Sequence, residues 1–152
     1  MSVIIRPVEA KDKSNWIKLW CDPSESYLKF YKSVDKVTPE ITESTWQRFF
    51  DEKEPVYCAV AEVDGEVIGF THYLTHRDTW MIKDTLYLND LYVSPQNRLS
   101  GVGRKLIEYV YNETDKLGAG KCYWCTQFEN HRAQLLYTKV GVSMGMLLYC
   151  RP

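Results

Sequence analysis

Leu86 to Leu106, LYLNDLYVSPQNRLSGVGRKL, reads as a strand that breaks at Ser94-Pro95 and restarts as a helix behind Arg98, Gly101 and Gly103. A strand that feeds a glycine-rich turn and a helix start is suited to holding a pyrophosphate. The first helical turn leaves N–H groups unpaired, and the macrodipole places about +0.5 charge there, so an anion fits. Gly101 and Gly103 let the backbone approach phosphate oxygens with no Cβ in the way, and Arg98 and Arg104 add charge that can fork onto phosphate. The competing reading is a plain loop whose glycines only turn the chain.

The elements around this segment set the fold class. Val3 to Arg6 reads as a first strand, followed by a helix with Trp16, Leu19 and Trp20 on one face and an end at Pro23. Ser24 is placed to cap a second helical stretch through Tyr27, Phe30 and Tyr31, and Pro39 opens a third with Trp46, Phe49 and Phe50. VYCAVAEV, Asp64-Gly65 and EVIGFTHYLTH form a hairpin, which Leu86 to Val93 extends into an antiparallel meander. A helix from about Val102 to Leu117 follows, with its stop at Gly118, and Lys121 to Thr126 returns as a parallel strand by a right-handed crossover. A last helix from about Asn130 to Gly141 and a closing strand, Met146 to Cys150, complete an α/β (α+β) chain with a mixed, mostly antiparallel sheet and one parallel β-α-β unit. The 152 residues are expected to form a single domain, 1–152.

Bulk properties exclude several functions. No run approaches the roughly 18 apolar residues a membrane span needs, and MSVIIRPVEAKDK lacks the shape of a secretory signal, so no membrane partner is expected. The net charge of −1 gives no electrostatic case for nucleic-acid binding. Residues 1–66 carry thirteen Asp/Glu against nine Lys/Arg, whereas residues 67–152, which hold the glycine turn, carry seven against ten. The five cysteines are odd in number, which suits a reducing compartment, cytoplasmic or nuclear. Cys122-x-x-Cys125 lies in a strand-like stretch where the two sulfurs face opposite ways, and no second pair completes a zinc site; no metal is expected.

Arg98-x-x-Gly101-x-Gly103 after the fourth strand, with Asn130-x-x-Ala133-x-x-Leu136-Tyr137-x-x-x-Gly141 after the fifth, resembles the GCN5-related N-acetyltransferase (GNAT) superfamily over roughly residues 3–150. A Rossmann fingerprint would need a third glycine where Leu106 stands, and a P-loop would need Gly-Lys-Ser/Thr. The resemblance implies acetyl-CoA as cofactor. Its pyrophosphate would lie on the backbone of Arg98, Leu99, Ser100, Gly101, Val102, Gly103 and Arg104. Its pantetheine arm would lie as a pseudo-strand against Leu91, Tyr92 and Val93, in a sheet splayed between the fourth and fifth strands. Asn130 matches the family's side-chain contact to that arm and is also a helix N-cap.

Acetyl transfer to an amine needs the neutral nucleophile, yet an alkylammonium with a pKa of about 10.4 is neutral to only about one part in a thousand near pH 7. The departing thiolate in turn gains from a proton donor. Tyr137 matches the tyrosine that fills this acid role in many relatives. In the strand, polyamine acetyltransferases carry a Glu-Asp pair; here it reads Asn89-Asp90, which leaves Asp90, or a water chain ending on it, as base or as charge partner of the acceptor. Because neighbours on a strand face opposite ways, one of the pair at most is expected to point at the acceptor. In the same resemblance, backbone N–H groups near Leu91 and Tyr92 would stabilise the developing oxyanion.

Segments NDLYV, TDKLG, CYWCT and NHRAQLLY are similar to small yeast-type acetyltransferases of histone lysines, polyamines or D-amino acids. The acceptor pocket of that fold would draw on Trp20, Asp22, Glu25, Tyr27, Tyr31, Trp80, Asn89 and Asp90, where acidic groups beside aromatic faces suit a cation. The favoured acceptor is a primary amine, a lysine tail or a small polyamine-like cation, with direct transfer in a ternary complex. The alternatives are a free amino acid, whose carboxylate would need a partner such as Arg77 or His76, and a catalytically silent acetyl-CoA-binding module. The closing strand is expected to pair with a second copy in a homodimer.

Overall fold

A computed structural model describes residues 2–98 and 100–152. Five strands, β1 (Val3–Pro7), β2 (Val56–Val63), β3 (Glu66–His76), β4 (Thr85–Val93) and β5 (Lys121–Tyr123), form one sheet in sequence order. The first four are antiparallel, and β4 and β5 are parallel. Helices α1 (Lys13–Cys21), α2 (Tyr27–Phe30) and α3 (Pro39–Arg48) precede β2, α4 (Val102–Lys116) links β4 to β5, and α5 (His131–Val140) follows.

Helices on both faces explain why β2, β3 and β4 are buried along most of their length. On one face Trp16, Trp20 and Leu28 pack with Trp46 over Cys58, Val60, Phe70 and Tyr92. On the other, Ile107 and Val110 of α4 pack over Ala59, Tyr73, Leu86 and Leu88. Asp64 (φ 50°) and Gly65 (φ 80°) turn β2 into β3, the pair of positive φ angles that a two-residue hairpin turn requires.

Local caps refine the helix starts. The second helix begins two residues later than expected: Ser26, not Ser24, accepts the Lys29 amide at 3.1 Å, while Ser24 hydrogen-bonds Asp22. Thr38 caps α3 with Pro39 in its first turn, and Asn130 caps α5 by accepting the Ala133 amide at 3.3 Å.

Two expectations about the C-terminal part change. β5 stops at Tyr123 instead of reaching Thr126, because Trp124 leaves the ladder to pack against Tyr111 and Tyr137. Met146 to Cys150 is not a strand: residues 141–152 form no secondary structure, and Val142, Met144, Met146, Leu147, Leu148 and Tyr149 are at least three-quarters exposed. Among the described residues nothing pairs with their backbone, and an unpaired apolar segment has no ladder to join.

Gly69 holds β3 and β4 in register where the backbones approach most closely: a Cβ there would stand 2.7 Å from the Tyr92 carbonyl oxygen. Gly69→Ala is therefore expected to destabilise the fold by about 1–3 kcal/mol through overpacking, read as a lower denaturation midpoint with an unchanged m-value.

Candidate active site

β4 and β5 share three pairs, the last being Tyr87 with Tyr123, and β4 then continues to Val93. On that side the backbone from Leu88 to Val93, including Leu91, Tyr92 and Val93, presents an edge with no strand beside it among the described residues. The chain then passes Pro95 to Gly101, whose φ of +80° demands a left-handed residue, and enters α4. The first helical bond runs from Lys105 N–H to Gly101 O at 3.1 Å, so the amides of Val102, Gly103 and Arg104 lie in the first turn. An extended arm ending in a phosphate fits this combination of open edge and helix start, since its amides find sheet partners and its anion finds N–H groups.

The charged residues of the turn are arranged less simply than their spacing suggests. Arg98 donates from Nε to the Val93 carbonyl at 2.9 Å, and its guanidinium sits over the rings of Tyr92 and Phe30, at 5.4 and 5.9 Å from their centroids. It braces the strand end against α2 instead of standing free toward an anion. Arg104 is half exposed and pairs with Glu108 one helical turn along, and Ser100 Oγ donates to the Asn97 carbonyl at 2.6 Å. Leu99 lies outside the described residues.

Across the opening, α5 presents Asn130 and Tyr137. Tyr137 is partly buried against Trp124, with ring centroids 5.5 Å apart, and burial together with neighbouring Tyr31 pushes its hydroxyl up to about 12. It therefore keeps its proton at neutral pH and stands as a proton donor at the site. Asn130 stands near Tyr31, whose ring is tilted against that of Tyr27 with centroids 4.7 Å apart. These contacts bring Tyr27 and Tyr31 of the α2 region and Asn130 and Tyr137 of the α5 region to one place.

Beside them lies a buried polar chain. A β-bulge inserts one residue into β4: His72 pairs with Asp90 and Tyr73 with Leu88, which leaves Asn89 as the extra residue. The bulge overturns the expectation that Asn89 and Asp90 face opposite ways, since Asn89 Nδ2 donates to Asp90 Oδ2 at 2.9 Å. The same carboxylate oxygen lies 2.9 Å from His72 Nδ1, and the nearby Tyr27 hydroxyl also favours the charged carboxylate. Trp16 Nε1–H, with no acceptor capacity, donates to His72 Nε2 at 2.9 Å, which assigns the imidazole hydrogen to Nδ1, facing Asp90. Burial pushes the Asp90 carboxyl up, but the donors from His72, Tyr27 and Asn89 outweigh it and hold the group below the usual carboxylate range. A carboxylate held in this way is a weak proton acceptor and a fixed negative charge.

A cleft of about 230 Å³ opens onto this group between α3, with Thr45, Arg48 and Phe49, and the strand residues His72, Asn89 and Asp90. Trp20 forms part of its wall while its indole N–H donates to Thr42 at 3.2 Å. The other residues expected at the acceptor side are placed elsewhere. Asp22 accepts from Ser24 at the end of α1, and Glu25 is an exposed partner of Gln96. Trp80 is 91 % exposed in the β3–β4 loop, where Asp78 accepts its backbone N–H; it stands near the start of β4, away from the bulge. His76 contacts the Tyr123 hydroxyl at 2.8 Å, and Arg77 pairs with Asp84 at 3.2 Å.

The residues that spacing did not single out for the site are Trp16, Thr45 and Arg48, and His72 received no partner. Their signal was long-range: Trp16 and His72 meet across 56 positions, and His72 and Asp90 across 18. A one-residue slip caused by the bulge separates this pairing from the one that simple alternation gives.

Comparison with known proteins agrees with this geometry. The Acetyltransferase (GNAT) family matches residues 16–142. A D-amino-acid N-acetyltransferase of Saccharomyces cerevisiae is 43% identical over 151 residues, covering 98% of this chain and 90% of that protein. A thialysine N-epsilon-acetyltransferase of Bos taurus is 30% identical over 147 residues, covering 91% and 83%. Among solved structures, an aminoglycoside N-acetyltransferase in complex with CoA superposes with a TM-score of 0.79 at 16% identity, covering 99% of this chain and 95% of that one, a likeness of fold. The open edge of β4, the glycine turn before α4 and the sequence itself lead to one conclusion: the chain belongs to the GNAT family of acetyl-CoA-dependent N-acetyltransferases.

Proposed function

We propose that this enzyme acetylates an amino group of a free amino acid by direct transfer from acetyl-CoA in a ternary complex. The observation that carries this reading is the charge of the cleft at the bulge. Asn89 is neutral, and the Asp90 carboxylate is already engaged by His72 and Asn89, so the cleft lacks the clustered free carboxylates that a polyamine would call for. The yeast relative, which carries a D-amino-acid name, supports the same acceptor class. A second reading, transfer to the side-chain amine of a lysine-like free amino acid, is supported by the thialysine relatives. A lysine tail or polyamine, favoured by aromatic and acidic content alone, loses support because Asp22, Glu25 and Trp80 do not meet at the cleft.

The cofactor supplies an activated acetyl thioester when bound. The first turn of α4 holds its anionic end, and the edge from Leu91 to Val93 holds its extended arm, with Asn130 on the opposite side. Tyr137 keeps a proton at its hydroxyl to give to the departing sulfur. Asp90 acts as a fixed charge that orients the acceptor ammonium, and the amine proton leaves to solvent through the open cleft. The exposed apolar residues from Val142 to Tyr149, and the free outer edge of β5, support a homodimer in which each tail covers its partner; light scattering is expected to give twice the chain mass, and one chain mass after deletion of residues 142–152.

A thiol-release assay with acetyl-CoA is expected to show turnover with D- or L-amino acids or thialysine, and little with spermine or a histone-tail peptide. Turnover confined to spermine or the peptide would overturn the amino-acid reading, and no release with any amine would leave only a cofactor-binding module. Tyr137→Phe is expected to lower kcat by about 10²-fold or more, the usual size of one general acid, with little change in KM for acetyl-CoA. With no strong base in the cleft, kcat/KM is expected to rise about tenfold per pH unit from pH 7 toward the pKa of the amine.

The lowered carboxyl of Asp90 also links it to acid stability. Its folded value lies below its unfolded value of about 3.9, so the unfolded chain binds more protons and the stabilisation is present above about pH 4. It is lost as pH falls through the folded value. Asp90→Asn is expected to be less stable than the parent at pH 7, with the difference closing on acidification, measured by urea unfolding at a series of pH values.

A further inference from the structure

We propose that Arg48 is the carboxylate anchor of the acceptor site, holding a free amino acid by its charged end while the amino group lies at the Asn89–Asp90 bulge. The proposal rests on the amino-acid reading of the acceptor given above. Arg48 stands in the last turn of α3 and lines the same 230 Å³ cleft as Asn89 and Asp90. Among the described residues no carboxylate lies within ion-pair distance of it: Glu43, on the same helix, is taken by Lys13 at 2.7 Å and by Gln47. Its five N–H donors are therefore available to a ligand.

The charges around the cleft have a direction. His72 uses both ring nitrogens, toward Trp16 and Asp90, and carries no free donor into the space. Asp90 supplies fixed negative charge at the strand side, and Arg48 supplies positive charge at the helix side. An amino acid carries the complementary pair, ammonium and carboxylate. A polyamine would bring a second cation toward the guanidinium and be repelled, and a lysine inside a peptide tail has no carboxylate beside its amine. Thr45, three residues earlier on the same helix face, adds a hydroxyl next to Arg48, and the rings of Trp20 and Phe49 give low-dielectric walls that strengthen the pairing. The guanidinium fork matches a carboxylate with two parallel bonds, which a lysine ammonium does not reproduce. Arg48 is exposed at the cleft mouth, and neither cation suggested by the sequence lines this cleft, since Arg77 is paired with Asp84 and His76 holds Tyr123.

The test compares the parent with Arg48→Gln and Arg48→Lys on a substrate amino acid and on the corresponding decarboxylated amine, at saturating acetyl-CoA. Arg48→Gln is expected to raise KM for the amino acid roughly 10- to 100-fold, the size of one charge-assisted contact, with kcat nearly unchanged. Its KM for the decarboxylated amine is expected to stay the same or fall. Arg48→Lys is expected to recover part of the loss. Calorimetric acetyl-CoA affinity equal to the parent's shows that each variant is folded. Equal losses on both substrates, or no loss on the amino acid, would overturn the anchor while leaving the acceptor class intact. A parent enzyme that acetylates the amine but no amino acid would overturn both.

Discussion

The buried carboxylate of Asp90 fixes the relation between sheet and helices at the site. It accepts from His72 of β3 and from its own neighbour Asn89, and Tyr27 of α2 adds to what keeps it charged. Through His72 it also reaches Trp16 of α1, so one ionised group ties two strands to two helices. A charge this deeply buried is tolerable only with such a complete set of partners, and losing any one leaves another polar group unsatisfied. The aromatic cluster of Trp16, Trp20 and Phe70 around His72 excludes water from the chain of bonds and sharpens each of them.

The other organising constraint is geometric. β4 is covered by helices on both faces, yet β5 accompanies it for only three residues before Trp124 turns away to pack with Tyr111 and Tyr137. The same contact that shortens β5 thus also steadies the ring of Tyr137. Opening the sheet and placing the acid are two results of one packing choice.

Much of this was legible in the residues. Strand, glycine turn and helix between Leu86 and Leu106, the Asp64-Gly65 hairpin and the Asn130 cap all follow from local chemistry: φ preferences, periodicity and side-chain oxygens at helix starts. What stayed hidden depends on contacts between distant parts of the chain. Alternation along β4 set Asn89 and Asp90 on opposite faces, and only the pairing with β3 reveals the bulge that brings them together. That the Arg98 guanidinium lies over the rings of Tyr92 and Phe30 depends on α2 meeting the end of β4, which the spacing of the glycine turn does not show. Trp80 looked like a pocket aromatic, but its loop is organised by Asp78, which binds Trp80 N–H, Thr85 and Lys121 at the far end of the strand. The apolar tail read as a strand because hydrophobicity alone does not say which edge a segment joins.

The bulge has a consequence for how such an enzyme diversifies. Residue 89 is the one position of β4 skipped by the pairing with β3, so its exchange leaves every other cross-strand pair opposite the same partner. A substitution there can alter the cleft without reshuffling the ladder or its buried faces. The bond from Asn89 to Asp90 sets the limit of that freedom, because a replacement at 89 has to donate to the buried carboxylate in its place.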